Sequence, residues 1–350
     1  MSDAAITTAV LAYLNHAPTS EFNGLDVAIA EEWEGADNLL WRVAARASGQ
    51  DAVLKLYLDA GQARSRRQFD GQQTFAPLGI APRPLWYDRY PQGLARQILV
   101  YEWVPGQPID AAAADHIRAL ARTVAQIHRG DAAAVRRLSP NPFNLETLWR
   151  VLAGGAPRLV TWLDSHSHEL AKLFSELVNN AQLLVESALP LWHTAAPTPV
   201  HGDLKLENCL LGLGTAVLLD WELFGLGDPA LDVAHLLYWN RLALAKSARD
   251  MWLDTYLALS PQTQLGERVA IYEQILPLQT LCYLLDGVHN MAADAKGERA
   301  GASDQLSAAL EFLQETLQAS LAEAANQLHV KTVDSAMLVA ELCAGLAVKS

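Results

Sequence analysis

Cysteine is scarce in this chain of 350 residues. Cys209, Cys282 and Cys343 are odd in number and widely spaced, which excludes a disulfide framework and offers no zinc-ligand spacing. Long apolar runs are missing too, and no stretch approaches the roughly 20 residues of a membrane-spanning helix. Residues 1–16 carry neither a basic leader nor a cleavage site; Ile6, Val10, Leu11 and Leu14 instead mark one face of a helix. The expectation is a cytoplasmic protein with no membrane partner. Positive charge is in deficit, 26 Lys and Arg against 39 Asp and Glu, a net charge of −13. Nucleic-acid binding needs clustered cations to neutralise phosphates, so that class of partner is excluded. There is no internal repeat and no low-complexity tract beyond alanine-rich helices. A hydrophobic fraction of 51% excludes a disordered chain.

What is present divides into two patterns. Up to about residue 103, β-rich stretches recur at 25–30, 39–45, 52–58, 84–87 and 97–103, interrupted by one helical segment over 61–76 that is basic at Arg64, Arg66 and Arg67. This reads as a five-stranded sheet with one helix. Beyond Gly106 the apolar spacing becomes helical: Ile117, Leu120, Ala121, Val124 and Ile127 share a face, and similar spacing returns over 159–189, 231–259, 270–291, 306–328 and 332–348. The expected fold is α+β, with residues 1–103 as a sheet-bearing lobe and 104–350 as a mostly helical one.

The chemistry concentrates in His201-Gly202-Asp203-Leu204-Lys205-Leu206-Glu207-Asn208 and, after a short apolar run, Asp220-Trp221-Glu222. Phosphoryl transfer from a nucleotide depends on positioning and on neutralising charge at the transferred group. Asp203 to orient an acceptor hydroxyl, with Asn208 and Asp220 as oxygen ligands to Mg²⁺, meets that need, because Mg²⁺ keeps waters and shares its shell with substrate phosphates. Strands at 199–200, 209–211 and 215–219 would hold the two loops side by side, with Gly212 and Gly214 at the turn. His201 reads as a packed, hydrogen-bonded residue, and Asp232 as a helix cap or a brace for the loop.

These residues resemble the aminoglycoside phosphotransferase and choline kinase superfamily, which shares the bilobal protein-kinase fold. The resemblance covers roughly residues 24 to 240 in order. It implies that Asp203 is the catalytic base, that Lys205 approaches the γ-phosphate, and that Asn208 and Asp220 bind Mg²⁺. It implies further that Lys55, in the strand Ala52-Val53-Leu54-Lys55-Leu56-Tyr57, holds the phosphates of ATP. Leu99 to Gly106 looks like the hinge between lobes, where Glu102 and Val104 would meet the nucleotide, and Gly35 and Asn38 of Glu34-Gly35-Ala36-Asp37-Asn38 would cover its phosphates. The sequence departs from the family in having one glycine in that loop. It also has Gln68, where the strand lysine's usual partner is a glutamate, with Asp70 as the alternative if the register is shifted.

Only eleven residues separate Asp220 from Asp232, too few for the activation segment that protein kinases use to seat a peptide, so the acceptor should be a small molecule with a hydroxyl. Residues 1–105 hold nine cationic and twelve anionic side chains, leaving −10 of the −13 on the remainder. An acidic lobe favours a cationic acceptor, an amino alcohol or aminosugar, although the same charge also serves solubility. Tyr238, Trp239, Trp252, Tyr256, Tyr272 and Tyr283 are aromatic candidates for holding such a cation, and Asp286 and His289 are further pocket candidates. The alternatives are a kinase for a hydroxy acid or hydroxyacyl metabolite and a catalytically silent nucleotide-binding scaffold. The sequence leaves the oligomeric state open.

Overall fold

The computed structural model describes residues 3–35, 37–46, 49–59, 63–296, 302–331 and 334–347. The chain divides into two compact units, each assembled from two stretches: Met1–Asn141 with Pro197–Pro261, and Pro142–Ala196 with Gln262–Ser350. The lobe boundary expected near residue 103 lies within the first of these.

The first unit is organised around a five-stranded antiparallel sheet in the order β1-β2-β3-β5-β4. Its strands are β1 Val27–Glu34, β2 Asn38–Ala45, β3 Asp51–Tyr57, β4 Pro84–Asp88 and β5 Ile98–Glu102. Alternation along β3 sends Ala52, Leu54 and Leu56 to one face and Val53, Lys55 and Tyr57 to the other. The first face is closed by helix α1 (Asp3–His16), whose Val10 and Leu14 are fully buried against Trp41, Val43, Leu54 and Val100. Burial of each such side chain contributes about 1.5–3 kcal/mol, which is what docks α1. On the second face Val53, Tyr57, Leu99 and Tyr101 pack with Phe69 of helix α2 (Arg64–Phe75). Lys55 is thus the charged member of an otherwise apolar face. Residues 61 and 62 of the expected helical stretch lie outside the described residues.

The rest of the first unit carries helix α3 (Ala114–His128), short strands β6 Gln107–Pro108, β7 Thr198–Val200, β8 Cys209–Gly212, β9 Thr215–Leu218 and β10 Gly225–Gly227, and helices α6 (Pro229–Trp239) and α7 (Lys246–Leu257). Strands β8 and β9 form the expected hairpin, Cys209 opposite Leu218. The stretch expected to be helical over 231–259 is broken at 240–245, where the Asn240 side chain turns back to the carbonyl of Leu236 and ends the helix. The second unit is helical: α4 (Leu145–Asp164), α5 (His168–Ala188), α8 (Leu265–Lys296), α9 (Ala302–Gln327) and α10 (Ser335–Ala347). Helix α4 opens on a reciprocal cap in which the Asn144 side chain accepts from the Thr147 amide and the Thr147 hydroxyl accepts from the Asn144 amide. No described helix is long and apolar enough to cross a membrane.

Candidate active site

The register of β3 gathers the N-terminal half of the site. Lys55 pairs with Leu40 on β2 and Leu99 on β5. This sets Asn38 two residues along one neighbouring strand and Glu102 three along the other, about 10 Å at the rise of a strand. Gly35 closes the β1–β2 turn, its amide donating to the Asn38 carbonyl at 2.8 Å. A Cβ at Gly35 would stand 2.8 Å from Asn38 Oδ1, so only glycine leaves the Asn38 side chain its place. Glu102 is paired with Arg83 at the strand end, and Val104 follows half-buried.

Lys55 is buried, 2% exposed, and its Nζ meets Asp220 Oδ1 at 2.6 Å, Glu222 Oε2 at 3.3 Å and Gln68 Oε1 at 3.3 Å. The helix register that sets Gln68 opposite Lys55 therefore holds. Asp70 is turned elsewhere, to Arg137 at 3.3 Å. Gln68 also accepts from the Tyr57 hydroxyl at 2.6 Å, while its Nε2 is buried without a partner.

Two residues of this cluster are not legible as partners in the sequence. Glu222 Oε1 faces Arg64 at 3.4 Å, and Arg64 in turn reaches Asp37 of the β1–β2 turn at 3.1 Å. One guanidinium thus ties that turn to the Asp-Trp-Glu triplet. The basic run 64–67 immediately after the lysine strand was the available signal. Glu222 is desolvated and lies near Asp220, which together raise its pKa above the usual carboxylate range despite Lys55 and Arg64.

The catalytic-loop half is held from below. Asp203 has both carboxylate oxygens engaged, Oδ1 by Lys205 Nζ at 2.8 Å and Oδ2 by Asn208 Nδ2 at 3.0 Å. The Leu219 amide donates to the Asn208 carbonyl at 2.8 Å, which sets Asp220 beside Asn208. Asp220 sits at φ 57°, ψ 60°, left-handed backbone, a conformation uncommon outside glycine in which Asp and Asn are enriched. Trp221 is fully buried, its ring stacked on Phe75 of α2 at 5.0 Å and tilted against His201 at 4.7 Å.

His201 is structural, as expected. It is fully buried, Nε2 lies 2.7 Å from the Leu219 carbonyl, and burial keeps its pKa below the usual histidine value. Asp232 is the brace and not the cap. Its carboxylate accepts from the backbone amides of His201 at 3.0 Å and Gly202 at 2.9 Å and faces His128 Nε2 at 3.0 Å. Burial works to raise its pKa, but the His128 contact and these donors outweigh it and hold the carboxyl below the usual range. The cap of α6 is Asp228, ahead of Pro229 at the first helical position, where a missing N–H costs nothing.

The aromatic candidates separate by burial. Trp252, Tyr256 and Tyr272 are fully buried; Trp252 stacks on Tyr256, whose hydroxyl meets His128 Nδ1 at 2.6 Å. Trp239 and Tyr283 are exposed. In the second unit Asp286 is paired with Arg158, and His289 packs edge-on against Trp162 at 5.4 Å.

No group of three or more His, Cys, Asp or Glu side chains among the described residues forms a self-sufficient metal cage. The donor set nevertheless suits a hard cation shared with phosphates. Lys55 uses only Oδ1 of Asp220, and Asn208 bonds through Nδ2, which leaves one oxygen of each without a hydrogen-bond donor.

The family model described as "Phosphotransferase enzyme family" matches residues 29–270. A curated relative, Protein LicA of Haemophilus influenzae, is 41% identical over 58 residues, 17% of this chain and 21% of the relative's own length. Among solved structures, a choline/ethanolamine kinase family protein from Mesorhizobium loti superposes with TM-score 0.63 at 17% identity over 98% of this chain and 99% of that one. A thermostable mutant of aminoglycoside phosphotransferase APH(4)-Ia, solved as a ternary complex with AMP-PNP and hygromycin B, gives TM-score 0.56 at 14% identity over 87% and 95%. At these identities the structures establish the shared fold.

Proposed function

Because the chain belongs to the phosphotransferase enzyme family, we propose that it moves the γ-phosphoryl group of ATP, with Mg²⁺, to a hydroxyl of a small molecule. The single observation that carries this reading is the convergence of Lys55, Asp220 and Glu222 within 3.3 Å, beside an Asp203–Asn208 pair hydrogen-bonded at 3.0 Å.

In this reading Asp203 accepts the hydroxyl proton of the acceptor, and its engagement by Lys205 and Asn208 fixes which way the carboxylate faces. Asp220 Oδ2 and Asn208 Oδ1 would hold Mg²⁺, which neutralises charge on the phosphates when bound. Lys55 grips the phosphates as a fixed cation, and Lys205 stands where the transferred group would pass. Gly35 and Asn38 cover the phosphates, while Glu102 and Val104 border the nucleotide. Glu222 positions Lys55 and Arg64, a task the family gives to the helix glutamate that Gln68 replaces here. We assign residues 1–103 to the nucleotide-covering lobe and 104–350 to the lobe bearing the catalytic loop, with the protein working in the cytoplasm. The short chain between Asp220 and Asp232 supports a small acceptor, and the acidic balance beyond residue 105 supports a cationic one.

The test is ATP consumption with Mg²⁺ against amino alcohols, aminosugars and hydroxy acids, in wild type and Asp203→Asn. A general base is worth roughly 10²- to 10⁴-fold, so the variant should lose turnover on that scale and keep nucleotide binding. Wild-type turnover in Asp203→Asn overturns the assignment of the base. Nucleotide binding with no turnover on any acceptor favours the silent scaffold. A preference for an anionic hydroxy acid overturns the cationic acceptor alone.

A further inference from the structure

Helix α2 has a second charged face. Gln68, with Arg64 one turn before it, faces Lys55 and Glu222; Arg66, Asp70 and Gln73 follow one another at helical spacing on the opposite side. That side forms the wall of a cavity of about 370 Å³, closed by Arg136, Arg137 and Phe224.

Its charge is unbalanced. Arg137 Nε meets Asp70 at 3.3 Å, and that is the cavity's one ion pair among the described residues. Among the described residues, Arg66 and Arg136 are exposed and meet no carboxylate at ion-pair distance. Next to them Arg67 donates only to backbone carbonyls, of Leu138 at 2.7 Å and Phe224 at 3.1 Å. Its burial and the repulsion of Arg137 depress its pKa. Three lining guanidinium groups around one carboxylate, with Arg67 adjacent, are a local excess of positive charge in a chain of net charge −13. Arg66, Arg136 and Arg137 line one open cleft and present to it the forked donors that match oxyanions two bonds at a time.

We propose that this cavity behind α2 is a binding site for a small phosphomonoester, held chiefly by Arg66, Arg136 and Arg137. It is separate from the Lys55 cluster, and its occupancy does not depend on the phosphotransfer reading. The wall residue Phe224 packs on Trp221 at 5.8 Å and on Phe75 at 5.9 Å. A ligand there therefore touches the segment that follows Asp220, and its binding should register in nucleotide affinity at the Lys55 cluster.

The experiment is calorimetric titration of the full chain, without Mg²⁺ or nucleotide, with glycerol 3-phosphate and inorganic phosphate as probes and glycerol as the neutral control. It is run on wild type, on Lys55→Ala, and on the double variant Arg66→Ala/Arg136→Ala. Both arginines are exposed, so the double variant should fold, which circular dichroism checks. The expected result is saturable phosphomonoester binding that persists in Lys55→Ala and weakens at least tenfold, about 1.4 kcal/mol, in the double variant. Equal affinity for inorganic phosphate means that the phosphoryl group alone is read, whether free or esterified, and supports the site. Binding lost in Lys55→Ala but kept in the double variant overturns the proposal, as does an absence of saturable binding below roughly 10 mM. Charge reversal, Arg66→Glu/Arg136→Glu, must weaken binding further; unchanged affinity there also overturns it.

Discussion

Replacing Glu222 with glutamine separates what the site needs for stability from what it needs for chemistry. The carboxylate stands 3.3 Å from Lys55 and 3.4 Å from Arg64. At an effective dielectric of about 20, each contact is worth about 5 kcal/mol of gross attraction. Against that stand the loss of water around a side chain only 15% exposed and the repulsion of Asp220, and these prevail, because the pKa of Glu222 is raised. A carboxylate whose folded-state pKa lies above its unfolded value weakens the fold when ionised, and the penalty vanishes as pH falls below the unfolded value. Glu222→Gln should therefore leave the unfolding free energy at pH 7 unchanged or raise it. Activity should move the other way. Loss of a charge-assisted hydrogen bond on Lys55, about 1.5–3 kcal/mol, should lower kcat by roughly 10- to 100-fold. Removing one negative charge from beside the phosphates should tighten Mg-free ATP. Urea unfolding, ATP calorimetry and turnover on the same preparation read all three. A variant destabilised by about 3 kcal/mol or more would behave as a broken buried ion pair and refute the argument.

Other outcomes follow from the same geometry. In Gln68→Glu, a third carboxylate gains about 5 kcal/mol from Lys55 at 3.3 Å and loses a similar amount to burial and repulsion. The kcat/KM for ATP should stay within about tenfold of wild type, and a larger fall counts against the role given to position 68. Gln72 is fully buried on α2 with neither side-chain nitrogen nor oxygen bonded, so Gln72→Met should raise the urea midpoint, by about 1–3 kcal/mol in unfolding free energy; a lowered midpoint would mean the amide has a bound-water partner. Burial keeps His201 below its ordinary value and pushes His235 down to about 4, so the unfolded chain binds protons first as pH falls. Stability should be full above about pH 6.5 and decline toward pH 4, by up to about 3 kcal/mol from His235 alone. The depressed carboxyl of Asp232 extends the loss below pH 4, and a urea midpoint constant from pH 7 to 4.5 would refute this.

Much of this was legible in the sequence because its carriers are local. The octet around Asp203 and the triplet at Asp220 are contiguous, and the alternation that aims Lys55 away from Leu54 and Leu56 is a property of one strand. Strand limits shifted modestly: β1 was expected over 25–30 and spans Val27–Glu34, because pairing with β2, which runs from Val27 opposite Ala45 to Glu34 opposite Leu39, sets its length rather than its own composition. The Lys55–Glu222 contact joins residues 167 positions apart, and no local pattern encodes it. Arg64 read as one more charge on a basic helix until the fold gave it Asp37 and Glu222. Asp232 had two readings at one helix start, and only the position of the catalytic loop decides that it serves the backbone of His201 and Gly202 while Asp228 does the capping.

The interleaving of the two compact units has a consequence for how the protein is made. A ribosome finishes the first stretch of the sheet-bearing unit at Asn141, then emits Pro142–Ala196 of the other unit before delivering Pro197–Pro261. At ordinary synthesis rates of about 5–20 residues per second, the sheet waits roughly 3–13 s for its catalytic loop. Through that interval Phe75 lacks Trp221 and the second face of α2 lacks Phe224, so apolar surface meant for burial stands open to solvent. Neither unit corresponds to one continuous stretch of coding sequence. Truncations at 141 or 196 should therefore yield chains that aggregate or engage chaperones, and an internal deletion that joins Asn141 directly to Pro197 and ends at Pro261 is the design that contains the whole sheet-bearing unit and nothing of the other.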